Sequence, residues 1–179
     1  MRILSILVTL FLAGVALSHG QNADGGKRTD FVIKDGGLTR QFELALDETD
    51  EKQPDGKSLP VKAAKGAGLG EMRQKALAKE KENGRRQDLV LYEKGKPRSE
   101  ATRRVETRKV LVKVAEGFDA DVAAVKFGAA SVERPSYAPG HVIFTFKEPG
   151  ESLTKADEIK KHAGVLSAGP MLAKQQRRR

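Results

Sequence analysis

The residue types that can do chemistry are few in this 179-residue chain, and their spacing is informative: three histidines, no cysteine, and a run of arginines at 177–179. Without cysteine there is no thiolate nucleophile, no thiolate metal site and no disulfide. Hydrolysis by a Ser-His-Asp arrangement needs a nucleophile set against an imidazole that a third group orients. His19, His141 and His162 lie far apart, and none stands in a Gly-rich or Asp-bearing context. His141 opens a predicted strand and His162 closes a predicted helix, where the dipole favours an imidazolium; surface or structural roles are expected. No His/Asp cluster has metal-ligand spacing. Gly66-Ala67-Gly68-Leu69-Gly70 has the glycine density of a phosphate loop, but no strand precedes it and no Gly-Lys-Ser/Thr ends it. Arg85-Arg86 and Arg103-Arg104 are dibasic pairs in predicted loops, open to nicking or simply solvated. The expectation is a protein without catalytic residues, metal or cofactor. What stands out is the basic tail Ala173, Lys174, Gln175, Gln176, Arg177, Arg178 and Arg179, the kind of end a protease cuts from or holds.

The start of the chain bears on where that tail would act. Met1-Arg2 precedes an apolar run, 3–17, interrupted only by Ser5, Thr9 and Gly14, with small residues at Ala16 and Ser18. This is the pattern of a secretory leader cleaved near 18–20; the run is shorter than the about 20 apolar residues of a membrane span, an uncleaved anchor being the alternative. A secreted or periplasmic protein is expected, free of the membrane once residues 1–20 are removed. The formal charge is +9. Four of those positive charges belong to Arg2 and the terminal arginines, so the rest is a mild excess that does not demand a polyanion.

The elements that must position the tail follow from periodicity. Residues 21–46 hold two alternating runs around Asp35-Gly36-Gly37, a predicted β-hairpin with Leu38, Phe42, Leu44 and Leu46 on one face. Residues 47–87 break composition, with Pro54, Pro60, the glycine stretch and a Lys/Glu/Arg-rich 71–86; a flexible charged linker with a transient helix over 71–82 is expected. From 88 to 172 the pattern sharpens. A short strand at 89–92 precedes strand 109–114 with Val110, Val112 and Val114. Helix 119–127 follows, with Val122, Val125 and Phe127 for the core. Then come strand 131–134, strand 141–147 with Val142, Phe144 and Phe146, helix 151–162 with Leu153, Ala156 and Ile159, and strand 165–172. Strand-helix-strand-strand-helix-strand is the ferredoxin-like βαββαβ order, an α+β class, and right-handed crossovers put both helices on one sheet face. The other face would carry Lys109, Leu111, Lys113, His141, Ile143 and Thr145. Leu111, His141 and Ile143 there are either ordinary surface residues or a docking face, for a partner or for the chain's own hairpin.

Ordered residue runs across this half resemble the N-terminal propeptides of secreted subtilisin-like serine proteases, in particular the fervidolysin-type prodomain. They are Lys94-Gly95-Lys96-Pro97-Arg98, Arg108-Lys109-Val110-Leu111-Val112-Lys113, Arg134-Pro135-Ser136-Tyr137-Ala138-Pro139-Gly140, His141-Val142-Ile143-Phe144, Gly164-Val165-Leu166-Ser167-Ala168, and Pro170-Met171-Leu172-Ala173-Lys174-Gln175-Gln176. The resemblance implies a ferredoxin-like module that templates folding of a subtilisin-like protease, in cis or in trans, and then inhibits it. Its open sheet face would pack on the enzyme, and the tail 173–179 would lie product-like in the active-site cleft. The Asp, His and Ser motifs of the protease are absent, the chain ending where the resemblance places its start. Gly169 stands where the family pattern has an acidic residue before the proline. A stand-alone inhibitor, a separately encoded propeptide and a truncated precursor all fit, each a monomer when free. The competing expectation is a secreted, non-specific binder of anionic polymers. It lacks the aromatic platform of single-strand binders, so no specific nucleic acid is expected.

Overall fold

In the computed structural model the described residues are 26–35 and 38–174. The predicted leader, the glycine pair of the predicted hairpin turn, and Gln175, Gln176, Arg177, Arg178 and Arg179 lie outside them. Period-2 alternation builds the first hairpin: β1 (Asp30–Asp35) runs antiparallel to β2 (Leu38–Lys52), pairing Phe31 with Phe42. Phe31, Ile33, Phe42 and Leu44 are buried.

The segment 47–87 departs from expectation: it is not a linker. β2 continues through it to Lys52, β3 (Ser58–Lys62) pairs with the end of β2, and α1 (Leu69–Asn83) buries Leu69, Met72 and Ala76. Those three anchors at i, i+3 and i+7 suffice for a helix that has a sheet to lie on. The far end of β2 is polar throughout, from Asp47 to Lys52, so hydrophobic periodicity carried no strand signal there. β4 (Gln87–Glu93) pairs with β2 and shows a register shift between Leu44 and Thr49.

The glycine stretch has a packing role. Leu69 N–H bonds Arg28 O at 3.1 Å and Gly70 N–H bonds Gly26 O at 3.0 Å, bringing the 26–28 backbone against the start of α1. A Cβ on Gly68 would lie 2.6 Å from Gly26 O and 2.8 Å from Lys27 Cα. Gly68→Ala is therefore expected to destabilise the protein by about 1–3 kcal/mol, as overpacking against backbone does. Gly169→Ala, whose Cβ would meet nothing within 4 Å, should stay within about 0.5 kcal/mol of the parent. Urea unfolding of the two variants checks the contrast.

The second half begins with β5 (Arg103–Val114), followed by α2 (Ala120–Phe127), β6 (Ser131–Glu133), β7 (His141–Thr145), α3 (Glu151–Ile159) and β8 (Val165–Ala173). β5 pairs with β7 and with β8, and β7 pairs with β6, each antiparallel, giving the local order β8-β5-β7-β6. Asp119 caps α2 by accepting from Asp121 and Val122 N–H, and Gly128 closes it at φ 72°.

The buried face of α2 is Ala120, Ala123, Ala124 and Phe127, again at i, i+3, i+4 and i+7. Val122 and Val125, expected in the core, are instead 65% and 83% exposed. Alanine lets α2 sit close to the sheet, and the branched valines are turned to solvent. The core of this half joins Val110, Val112, Val142, Phe144 and Phe146 to α2 and to Ala156 and Ile159 of α3. Leu153 of α3 instead joins Phe31, Phe42, Leu44, Leu69, Met72, Leu89 and Leu91, so α3 spans both clusters.

The two halves share one sheet. Val90, Leu91 and Tyr92 of β4 pair with Val105, Arg104 and Arg103 of β5, and Val105 pairs on its other edge with Ala173 of β8. The described residues thus form a mixed α/β fold of one eight-stranded sheet, its strand pairs antiparallel, with three helices.

Candidate functional site

Residues directly opposite in an antiparallel pair project from the same face. The registers therefore align Gly169, Leu111, Ile143 and Glu133 in one row across β8, β5, β7 and β6. Ser167, Lys113 and His141 form a second row, and Lys109 lies beside Thr145 in a third. This is the face away from Val110, Val112, Val142 and Phe144. Leu111 is 36% exposed and His141 half-buried, its Nδ1 3.2 Å from Pro139 O.

Ile143 is only 3% exposed, a correction to its expected place on an open surface. Lys109 Nζ reaches Glu133 Oε1 at 2.8 Å, an ion pair that spans β7 from β5 to β6 over the Ile143–Thr145 segment. The accessible apolar element of the face is thus Leu111. Gly169 opposite it carries no side chain, so one flank of Leu111 is bare. Leu166 of β8 is also exposed.

β8 delivers the tail. Thr107 Oγ1 donates to Met171 O at 2.8 Å, and Ala173 pairs with Val105. Lys174 is exposed just beyond. Of the predicted tail residues, Ala173 and Lys174 are therefore placed at the seam between the two halves. The other five lie outside the described residues.

Beside that seam is a buried ionic cluster that the sequence reading missed. Arg103 Nε donates to Glu48 Oε1 at 2.6 Å and its Nη2 to Asp50 Oδ1 at 3.0 Å. Both Arg103 and Arg104 are buried, so their expected loop position and openness to nicking are overturned. Arg85 and Arg86 do lie in the exposed α1–β4 loop, paired with Glu51 and Asp88. Tyr92 Oη donates to Glu48 Oε2 at 2.7 Å. Burial first, then the Glu48 carboxylate, pushes the Tyr92 hydroxyl up to about 12. Burial likewise pushes the Asp50 carboxyl above its usual range, against the opposing pull of Ser58 and Arg103.

Arg108 is the centre of the cluster, the one non-glycine residue with positive φ (60°) among those described. It is buried and donates to Asp88 Oδ1 at 2.9 Å, Gln87 O at 2.7 Å, Glu80 Oε1 and Lys147 O. The β5–β8 register shifts between Glu106 and Val110, and the bulge aims Arg108 into the space between β4, α1 and the β7–α3 turn. Glu106, fully buried, accepts from Gly150 N–H at 2.7 Å and Ser152 Oγ at 2.6 Å.

A groove of about 380 Å³ between α2 and the α3–β8 turn is lined by Phe118, Asp119, Val122, Lys126 and His162. His162 packs edge-on against Phe118 and Phe127, and the Asp119 carboxylate is engaged in capping α2. Among the described residues no group of three or more His, Asp or Glu is placed to hold a metal ion. Nor is any helix among them long and apolar enough to cross a membrane. No family model, no curated protein and no solved structure matches the chain.

Proposed function

We propose that this is an exported propeptide-like protein, non-enzymatic, that binds a subtilisin-like serine protease as inhibitor and folding aid. The observation that carries the reading is the β8-β5-β7-β6 order with α2 and α3 against one face, which leaves Leu111, Lys113 and His141 on the opposite one. That order is what a ferredoxin-like βαββαβ module requires, and it coincides with the residues that resemble subtilase propeptides. In the complex, Leu111 supplies the apolar anchor of the sheet face, flanked by Lys113 and His141. The tail pairs its backbone with enzyme edge strands while alternate side chains fill subsites. Arg178 and Arg179 suit acidic pockets through charge-assisted hydrogen bonds. Face and tail together gain by effective concentration what neither achieves alone.

The test is inhibition of a panel of subtilisin-like proteases by the intact chain and by a chain ending at Lys174. Removing Gln175 to Arg179 should raise the inhibition constant of a responsive enzyme more than about tenfold. Equal inhibition by the two forms sinks the tail mechanism. Leu111→Asp should weaken inhibition by about tenfold or more, beyond the loss of about 1–2 kcal/mol of stability expected from the buried part of its side chain. The anionic-polymer reading is the weaker one, because Glu133 already neutralises Lys109 on the same face. Binding to heparin or DNA that vanishes at moderate salt, with no protease inhibited, would favour it instead.

A further inference from the structure

Asparagine occurs twice in the chain, as Asn22-Ala23 and as Asn83-Gly84, and only the second is followed by glycine. Asn83 is the last residue of α1 and Gly84 its left-handed C-cap at φ 67°, both exposed. The asparagine side chain is held at both of its polar atoms. Oδ1 accepts from Arg85 N–H at 2.9 Å, and Nδ2 donates to Glu51 Oε2 at 3.0 Å. The first contact folds the side chain forward over the Gly84 peptide and turns Cγ towards Gly84 N. It also draws electrons from Cγ and is placed to stabilise a negative oxygen there as a tetrahedral intermediate forms. Gly84 has no Cβ to obstruct the approach, and ring closure between neighbours needs no encounter.

What opposes that reaction is the helix. Gly84 N–H donates to Glu80 O at 2.9 Å. Residues 81–86 are all exposed, and an exposed terminal turn opens readily. Opening releases Gly84 N–H, whereas the contact between Oδ1 and Arg85 N–H is local and needs no helix. We propose that Asn83 is a site of spontaneous covalent modification that ages the first half of the fold. Gly84 N bonds to Asn83 Cγ and the Cγ–Nδ2 bond breaks. The Gly84 amide proton leaves with Nδ2 as ammonia, giving a succinimide. Water then opens one of the two ring C–N bonds, leaving aspartate, or isoaspartate with the main chain rerouted through Cγ. Water is the only co-reactant.

The consequence falls on Glu51. Its carboxylate accepts from Gln53 Nε2, Arg85 Nη1, Gln87 Nε2 and Asn83 Nδ2, tying β2 to α1, to the α1–β4 loop and to β4. Conversion puts a carboxylate where a donor stood, so like charges face each other where α1 meets β2. None of these residues belongs to the candidate face around Leu111, and the inference is independent of the protease reading.

The experiment is incubation of the full chain at mildly alkaline pH, with the peptide containing Asn83 followed by mass spectrometry and by enzymatic labelling of isoaspartate. Both signals are needed, because Asp24, Asp35 and Asp55 also precede glycine and can give isoaspartate with no change of mass. The Asn83 peptide should gain the mass of amide-to-acid conversion together with isoaspartate. Gly84→Ala, which adds the obstructing Cβ, should convert several-fold more slowly. An Asn83 that stays intact in the folded chain while a synthetic 81–87 peptide converts, or an unchanged rate in Gly84→Ala, overturns the site. Asn83→Asp stands in for one product. Its unfolding constant in urea should exceed the parent's by about tenfold, from the lost bond to Glu51 and the new charge at the helix C-terminus. Equal stability overturns the ageing of the fold. If neither variant folds, the parent decides alone: its urea midpoint should fall as the mass gain accumulates, and a midpoint that does not follow conversion overturns the proposal.

Discussion

Arg108→Met is expected to destabilise the protein by about 3 kcal/mol, the lower end of the cost of removing one partner from a buried ion pair. Methionine replaces the apolar stem out to the Nε position but offers no donor. Asp88, fully buried, would keep Arg86 as its remaining cation, which is why the upper end of the range is not expected. Glu80 Oε1, Gln87 O and Lys147 O would each lose a charged donor. Arginine and methionine, both unbranched at Cβ, meet about the same cost at a φ of 60°, so backbone strain changes little in this substitution. Arg108→Lys should fall between parent and methionine, because one ammonium cannot reach four acceptors set around a guanidinium fork. A double-mutant cycle with Asp88→Asn checks the account. The double variant should be clearly less damaged than the sum of the singles, since both halves of the uncompensated pair are gone. Strict additivity would mean that Arg108 acts through packing alone.

Phe144→Ala carries the other large effect, about 3–5 kcal/mol, the cost typical of emptying a buried aromatic site. Phe144 is fully buried at the centre of β7, opposite Val110 and Val132, with its ring 6.4 Å from that of Phe127. Against a total stability of about 5–15 kcal/mol for a domain, that loss leaves little margin. Val125→Ala supplies the contrast, with a change within about 0.5 kcal/mol because its side chain is already in water. Denaturant midpoints of the pair test the phase of α2 directly. A Val125→Ala variant as damaged as Phe144→Ala would mean that α2 is rotated, with its valines turned to the sheet.

The elements with apolar periodicity were legible in the sequence. Val110, Val112, Val142, Phe144 and Phe146 lie on one face, with Leu153, Ala156 and Ile159 buried on α3, as alternation and helical spacing indicate. The phase of α2 was not legible, because alanines carry too little hydrophobic contrast to outweigh two valines. Nor was the fold of residues 47–87, where the buried partners are charged. Asp50, Glu51 and Asp88 read as solvated surface until Arg85, Arg103 and Arg108 are known to face them across strands. Such pairings span 20 to 53 positions, beyond any local window. At the candidate site, Leu111 and His141 occupy the expected face. Ile143 is buried on that face, where a Lys109–Glu133 pair joins the two strands flanking β7, and no one-strand pattern announces such a pair.

β5 receives one partner from earlier in the chain and two from later, and this has a kinetic consequence. Its pairing with β8 brings Val105 to Ala173, so the edge opposite β7 cannot close until the last described strand has been made. Contacts of such sequence separation slow folding, because much chain must be ordered before they form. Until then an unpaired edge along β5, rich in valine, is a template for pairing with other chains. The rate at which residues 165–173 find β5 should therefore set both the folding time and the yield of soluble protein, and any molecule that shields this edge during synthesis would act as a chaperone for it.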